Sequence, residues 1–242
     1  LNLYAEFAAN YIVRRDPSGR WCEWTGSSYV NPLAGVTGGN IVNIKEAPNG
    51  DIYVCGAFTS AGGVANTKGI ARWSKANQLW EAVGNPVTGA TITSINTMAF
   101  DANGDLYACG GFFDVGGNPN ADFIVKISNL NGTPTASALG TGLNNSCYAV
   151  AIAPDGYLYA GGPFTQAGGV AGTSHIARYN LATGTWSALS SGLNGTVHTL
   201  ALAPNGELYI GGEFNDATYP RLCKWNGTAF LPVGTNTDIN SP

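Results

Sequence analysis

Apolar residues along this chain come in short runs, and no stretch sustains the 3.6-residue period of a capped helix. The runs are punctuated by one dipeptide. Asn49-Gly50, Asn103-Gly104, Asp155-Gly156 and Asn205-Gly206 follow one another at intervals of 54, 52 and 50 residues. Phe58, Phe112, Phe164 and Phe214 repeat the same intervals, with Ile52-Tyr53, Leu106-Tyr107, Leu158-Tyr159 and Leu208-Tyr209 between. Farther along each unit, Ile70-Ala71-Arg72-Trp73 matches Ile124-Val125-Lys126-Ile127, Ile176-Ala177-Arg178-Tyr179 and Leu222-Cys223-Lys224-Trp225. A closing apolar segment then begins at Trp80, Ser137, Trp186 or Phe230.

Each unit reads as four short strands. Strand A (Thr97–Phe100, or Thr199–Leu202) runs into the Asn-Gly pair, a hairpin signal in which both central residues are expected at φ > 0. Strand B (Leu106–Cys109, or Leu208–Gly211), strand C and strand D follow. Four antiparallel strands in about 50 residues is the signature of a propeller blade. The expected fold is all-β, a single five-bladed β-propeller over residues 1–242. Blade 1 takes 1–37 plus 237–242, blade 2 takes 38–90, blade 3 takes 91–142, blade 4 takes 143–194 and blade 5 takes 195–236. Residues 1–37 enter the repeat at strand B, since Leu3-Tyr4-Ala5 matches Leu158-Tyr159-Ala160. Thr237-Asp238-Ile239-Asn240 resembles Thr93-Ser94-Ile95-Asn96, so the C-terminal tail is expected to supply the missing innermost strand and hide an open edge. The rival expectation is a piece of a longer repeat protein, because Leu1 is not an initiator Met.

Composition agrees. Charged residues are 11% of the chain against about 25% in ordinary soluble domains, and hydrophobic residues are 44%. Blade sheets bury both faces, which explains so little charge. The net charge of −4 argues against nucleic acid as a partner. No run reaches the ~20 apolar residues of a membrane helix, so no membrane insertion is expected.

The run Asp51-Ile52-Tyr53-Val54-Cys55-Gly56-Ala57-Phe58-Thr59-Ser60-Ala61-Gly62-Gly63, followed by Ile70-Ala71-Arg72-Trp73, resembles β-propeller repeats of Kelch-like or delta-60 type. The resemblance covers nearly the whole chain. It implies the fold, and a place among bacterial surface, fungal cell-cortex or phage tail and virion proteins. It departs in the first copy and in the fourth, where Asn215–Tyr219 lacks the Ala-Gly-Gly loop.

One cation recurs in every copy: Arg14, Arg72, Lys126, Arg178 and Lys224. Recurrence across otherwise different blades points to a structural role, capping carbonyls or acidic groups of the adjacent blade. Ligand binding is sought where the repeat varies. The starts of strand A, at the mouth of the central channel, carry Val42, Asn96, Tyr148 and His198, with Asn240 joining if the tail closes the ring. The B–C loops, Thr59–Lys68, Phe113–Asp122 and Thr165–Ser174, form the second candidate surface.

Chemistry has little raw material. Only two histidines occur, with no Cys-x-x-Cys and no Gly-x-Ser-x-Gly elbow. Asp101-Ala102-Asn103-Gly104-Asp105 opens like a calcium loop but carries Phe112 at its twelfth position, so it is read as a hairpin turn. No metal, cofactor or catalytic residue is expected. Cys22, Cys55, Cys109, Cys147 and Cys223 are placed in strands as buried free thiols. Asn131, Asn144, Asn194 and Asn226 head glycosylation sequons that Asn-rich turns also generate. The expected function is a non-enzymatic binding or assembly module, extracellular or on a virion surface, meeting a protein partner. A lectin with a surface glycan at the mouth or between blades is the alternative.

Overall fold

The computed structural model describes residues 35–83 and 91–234, together with β1 (Leu3–Ala5), β2 (Ile12–Arg15) and β3 (Trp21–Cys22). These three strands form one antiparallel sheet, in the order β1-β2-β3. β4 (Val36–Thr37) pairs with β7 (Ser60–Ala61). The second blade is β5 (Ile41–Glu46), β6 (Ile52–Gly56), β8 (Ile70–Ser74) and β9 (Leu79–Ala82). The third is β10 (Thr91–Phe100), β11 (Leu106–Phe113), β12 (Ile124–Ser128) and β13 (Thr135–Ala138). The fourth is β14 (Ala149–Ile152), β15 (Tyr157–Gly161), β16 (Ile176–Asn180) and β17 (Thr185–Ala188). The fifth is β18 (Val197–Leu202), β19 (Leu208–Asn215), β20 (Pro220–Trp225) and β21 (Phe230–Pro232). The protein is an all-β, five-bladed propeller, with one 3-10 turn at Val115–Gly117 as the helical element among the described residues. Asn240 and the expected tail strand lie outside the described residues.

Three expectations need correction. The A–B hairpins are not two-residue turns with both central residues at positive φ. Each is a type I turn followed by one left-handed glycine. Gly104 N–H donates to Asp101 O (3.0 Å) and Asp101 N–H to Asp105 O (3.0 Å), and only Gly104 of the turn has positive φ, at 82°. The same pair of bonds closes the turns at Ala47–Asp51, Ala153–Tyr157 and Ala203–Glu207. Next, β10 starts at Thr91 rather than Thr97, and β11 and β19 run on to Phe113 and Asn215, because bulges carry pairing past the expected ends. Finally, Cys147 precedes β14 rather than lying within a strand.

The alternation of side chains along each B strand builds the core. Tyr53 and Cys55 face the third blade, packed with Met98, Leu106, Ala108 and Ile127. Tyr107 and Cys109 face the fourth, packed with Leu158, Ala160 and Phe164. Tyr159 faces the fifth, packed with Leu208, Ile210 and Phe214. Val54, Phe58 and Ala71 cover the opposite face of the second blade, with Val36 and Trp80. Each sheet is thereby the lid of its neighbour.

Candidate functional site at the axial mouth

β5, β10, β14 and β18 are the first strands of their sheets and lie next to one another, so they line the axis. Three of the four carry a register shift, at the start of β5 and β18 and midway along β10. Ile41 pairs with Gly56 and Asn43 with Cys55, leaving Val42 between them. Asn96 sits in the same way between Ile95 and Thr97, and His198 between Val197 and Thr199. A bulge re-aims its extra side chain out of the sheet, and these bulged positions become free to differ between blades. Tyr148 occupies the corresponding place just before β14, its N–H bonded to Gly161 O at 2.8 Å.

The structure brings three of these residues into one chain of contacts across blades. Asn96 Nδ2 donates to Cys147 O at 2.8 Å, which ties the third blade to the residue preceding Tyr148. The Tyr148 ring stacks on His198 of the fifth blade, with centroids 5.6 Å apart and planes 11° apart. His198 Nε2 lies 2.9 Å from Glu213 Oε1. Val42 is not tied to this chain of contacts among the described residues; it is 48% exposed, against 37% for Tyr148. Glu213 was missed by sequence reasoning. Its signal was present: the residue before the repeated phenylalanine is Ala57, Gly111, Pro163 and then Glu213.

The recurring cations lie away from the mouth, each directly opposite the B-strand tyrosine: Tyr53 opposite Arg72, Tyr107 opposite Lys126, Tyr159 opposite Arg178 and Tyr209 opposite Lys224. Arg72 caps Leu130 O of the third blade at 2.7 Å, but its carboxylates, Asp51 and Glu81, belong to its own blade. Lys126 meets Asp105 at 2.7 Å and Lys224 meets Glu207 at 2.9 Å, again within one blade. The expectation of acidic partners on the adjacent blade is therefore corrected: for all three cations the acid comes from the same blade. For Lys126 and Lys224 it is the residue after the turn glycine, already aimed at strand C by the hairpin. Arg72 has Asp51 at that place, 3.8 Å away, and makes its tighter pair with Glu81 of β9. In the fourth blade Tyr157 takes this place, and Arg178 lies 4.6 Å above its ring. The side chain of Arg14, on β2, is outside the described residues.

The B–C loops are tied down internally. Ala61 N–H donates to Thr67 Oγ1 (2.8 Å), whose hydroxyl donates to Val64 O (2.7 Å). Ala167, Thr173 and Val170 repeat this at 2.9 and 2.7 Å. The linker into the fourth blade clamps its loop through Asn144, which accepts from Thr165 and Gln166 N–H and donates to Thr165 Oγ1. Asn194 does the same with the backbone of Asn215. Two of the four sequon carboxamides are thus structural clamps, and a third, Asn226, accepts three bonds within its own turn.

The model of the Rax2 C-terminal beta propeller domain matches residues 126–226. No curated protein sequence matches the chain. PorZ, an essential surface component of the type-IX secretion system of Porphyromonas gingivalis, aligns with a TM-score of 0.57 at 13% identity, over 95% of this chain and 32% of PorZ. The extracellular domain of a protein assigned as a hybrid two-component system of B. thetaiotaomicron gives 0.56 at 14% identity, over 91% and 27%. A gluconolactonase of Xanthomonas campestris gives 0.51 at 14% identity, over 79% and 60%. The chain spans about a third of the length of PorZ. At these identities the likenesses establish the fold, and the protein is similar to propeller domains of surface and extracellular proteins.

The mouth offers hydrogen-bonding and stacking groups but little reactive chemistry. Among the described residues no group of three or more His, Cys, Asp and Glu could hold a metal ion. Asp101 Oδ1 is occupied by the N–H groups of Asn103 and Asp105, as a turn requires. Cys55, Cys109, Cys147 and Cys223 are buried free thiols. Burial pushes the Cys55 and Cys109 thiols up, and takes Cys223 to about 12, away from the reactive thiolate.

Proposed function

We propose that the protein is a non-enzymatic binding or assembly module, a Kelch-like or delta-60-type propeller displayed on a cell or virion surface, which docks a protein partner on its axial mouth. The observation that carries this reading is the Tyr148–His198–Glu213 group. It holds an aromatic ring, an imidazole and a carboxylate in register across two blades, with His198 and Glu213 side chains 47% and 66% exposed. Aromatic residues held rigidly by a scaffold are favoured interface anchors, since little side-chain entropy remains to be lost. Val42 and Phe113 add exposed apolar surface. The ring itself is proposed to close through Thr237–Asn240 as innermost strand of the first blade.

The test is photo-cross-linking from position 42 or 148 in the intact particle or envelope, with position 79 on the outer strand β9 as control. The expected adduct forms from the mouth only. Mass spectrometry identifies it, and the purified partner then binds His198→Ala and Tyr148→Ala at least tenfold more weakly. Adducts from position 79 alone would contradict the reading. A glycan array that finds a sugar, with binding lost in the same two variants, would replace the protein partner with the lectin alternative at this mouth.

A further inference from the structure

The fourth complete copy departs from the repeat in one place, and a cleft opens there. From the repeated phenylalanine to strand C, Phe58 to Ile70, Phe112 to Ile124 and Phe164 to Ile176 are each twelve residues, whereas Phe214 to Leu222 is eight. In the second and fourth blades the extra residues are an Ala-Gly-Gly loop seated on the strand-D tryptophan. A Cβ on Gly62 would lie 2.7 Å from Trp80 Cδ1, and one on Gly168 would lie 2.3 Å from Trp186 Cδ1. The fifth blade lacks this loop and has Phe230 in place of the tryptophan, with Tyr219 next to it at 5.9 Å. What remains is a cavity of about 200 Å³ between the fourth and fifth blades, lined by Ser191, Gly192, Leu193, Asn194, Asp216 and Tyr219.

We infer that this cleft binds a single pyranose ring, such as the terminal sugar of a glycan. Drug-sized ligands occupy pockets of about 300–1,000 Å³, so this cavity suits one small ring. Leu193 and the half-buried Tyr219 ring supply an apolar wall for the C–H face of a sugar. Asp216 Oδ1 accepts the Thr218 N–H at 2.8 Å, which fixes the carboxylate and leaves Oδ2 to accept sugar hydroxyls. The Ser191 hydroxyl has no partner among the described residues and stands ready to donate or accept. Asn194 is committed to the backbone of Asn215, so it forms a rigid wall. Asp216 and Tyr219 line the same cavity, where burial and then the Asp216 charge raise the Tyr219 phenol. Among the described residues no Lys, Arg or His lines the cleft, so phosphates and other anions are poorly served.

The inference deepens the glycan alternative but stands on residues separate from the axial mouth. The experiment is a titration of the ¹⁵N-labelled chain with methyl glucoside, galactoside, mannoside and N-acetylglucosaminide, with butylammonium as a non-sugar probe. The expected result is saturable binding of one sugar at a Kd of about 1 mM, with shifts confined to residues around 191–194 and 216–219. Asp216→Asn, which keeps the Thr218 bond, and Tyr219→Ala each weaken it at least tenfold, while His198→Ala leaves it unchanged. Saturation by butylammonium and no sugar would overturn the inference, as would no binding at all. Sugar binding lost in His198→Ala but kept in Tyr219→Ala would also overturn it and move the ligand to the mouth.

Discussion

At the residue before the apolar residue that opens the repeated strand-C motif (Ile70, Ile124, Ile176 and Leu222), the second to fifth blades place the backbone in the left-handed region: Gly69 at φ 75°, Phe123 and His175 at 63° and Arg221 at 62°. A side chain there costs about 1–2 kcal/mol relative to the right-handed form. Phe123 offsets part of this by packing edge-on against Phe113, 4.8 Å away, and His175 by a contact from Nδ1 to Gly162 O at 3.2 Å. Arg221 is exposed. Arg221→Gly is therefore expected to stabilise the protein by about 0.5–1 kcal/mol in urea unfolding, the strain relieved less the entropy glycine loses. A drop in stability would show that the guanidinium has a role in the fold. The buried phenols give a second expectation. Burial pushes Tyr107 and Tyr159 up to about 12 from an ordinary 10.0, so below pH 10 both are protonated whether the chain is folded or not. Above pH 10 only the unfolded chain releases those protons, and stability falls as pH rises through 10–12. Thermal melts across that range should show a steepening loss, and Tyr107→Phe with Tyr159→Phe should flatten it.

At the scale of elements, two glycines separate backbone demand from packing demand. Gly104 turns the A–B hairpin at φ 82° with open space where a Cβ would go, so Gly104→Ala is expected to cost about 1 kcal/mol. Gly168 combines φ 60° with a Cβ that would drive into Trp186, whose Nε1 holds Leu139 O at 2.7 Å. Gly168→Ala is expected to cost about 3 kcal/mol, strain and overpacking together; equal losses in the two variants would refute this account of the loop. Both glycines were legible in sequence through their recurrence. The kind of turn was not, because Asn-Gly serves two-residue and three-residue hairpins alike and only the bonding from Asp101 decides between them. The acid after each turn glycine was visible as Asp51, Asp105 and Glu207, yet its partner was not, since register sets which strand-C cation it meets. The contact of Glu213 with His198 Nε2 was hidden for a similar reason: the register shift at His198 is not written in the sequence.

At the scale of the molecule, order comes from neighbouring sheets shielding one another, and individuality is left to the mouth and to the shortened fifth loop. The blade number and the strand plan were readable from spacing, because packing between like sheets demands like residues at like places. The stacking of Tyr148 on His198 was not, because it joins two blades whose separation no sequence pattern encodes. A ring of this kind needs its first sheet completed. Amide hydrogen exchange at Asp238–Asn240, measured beside the amides of β5, tests that requirement most directly. The account predicts protection in the tail comparable with β5, lost together with it on unfolding. Exchange at the rate of an unstructured peptide, with β5 still protected, would contradict the closed ring.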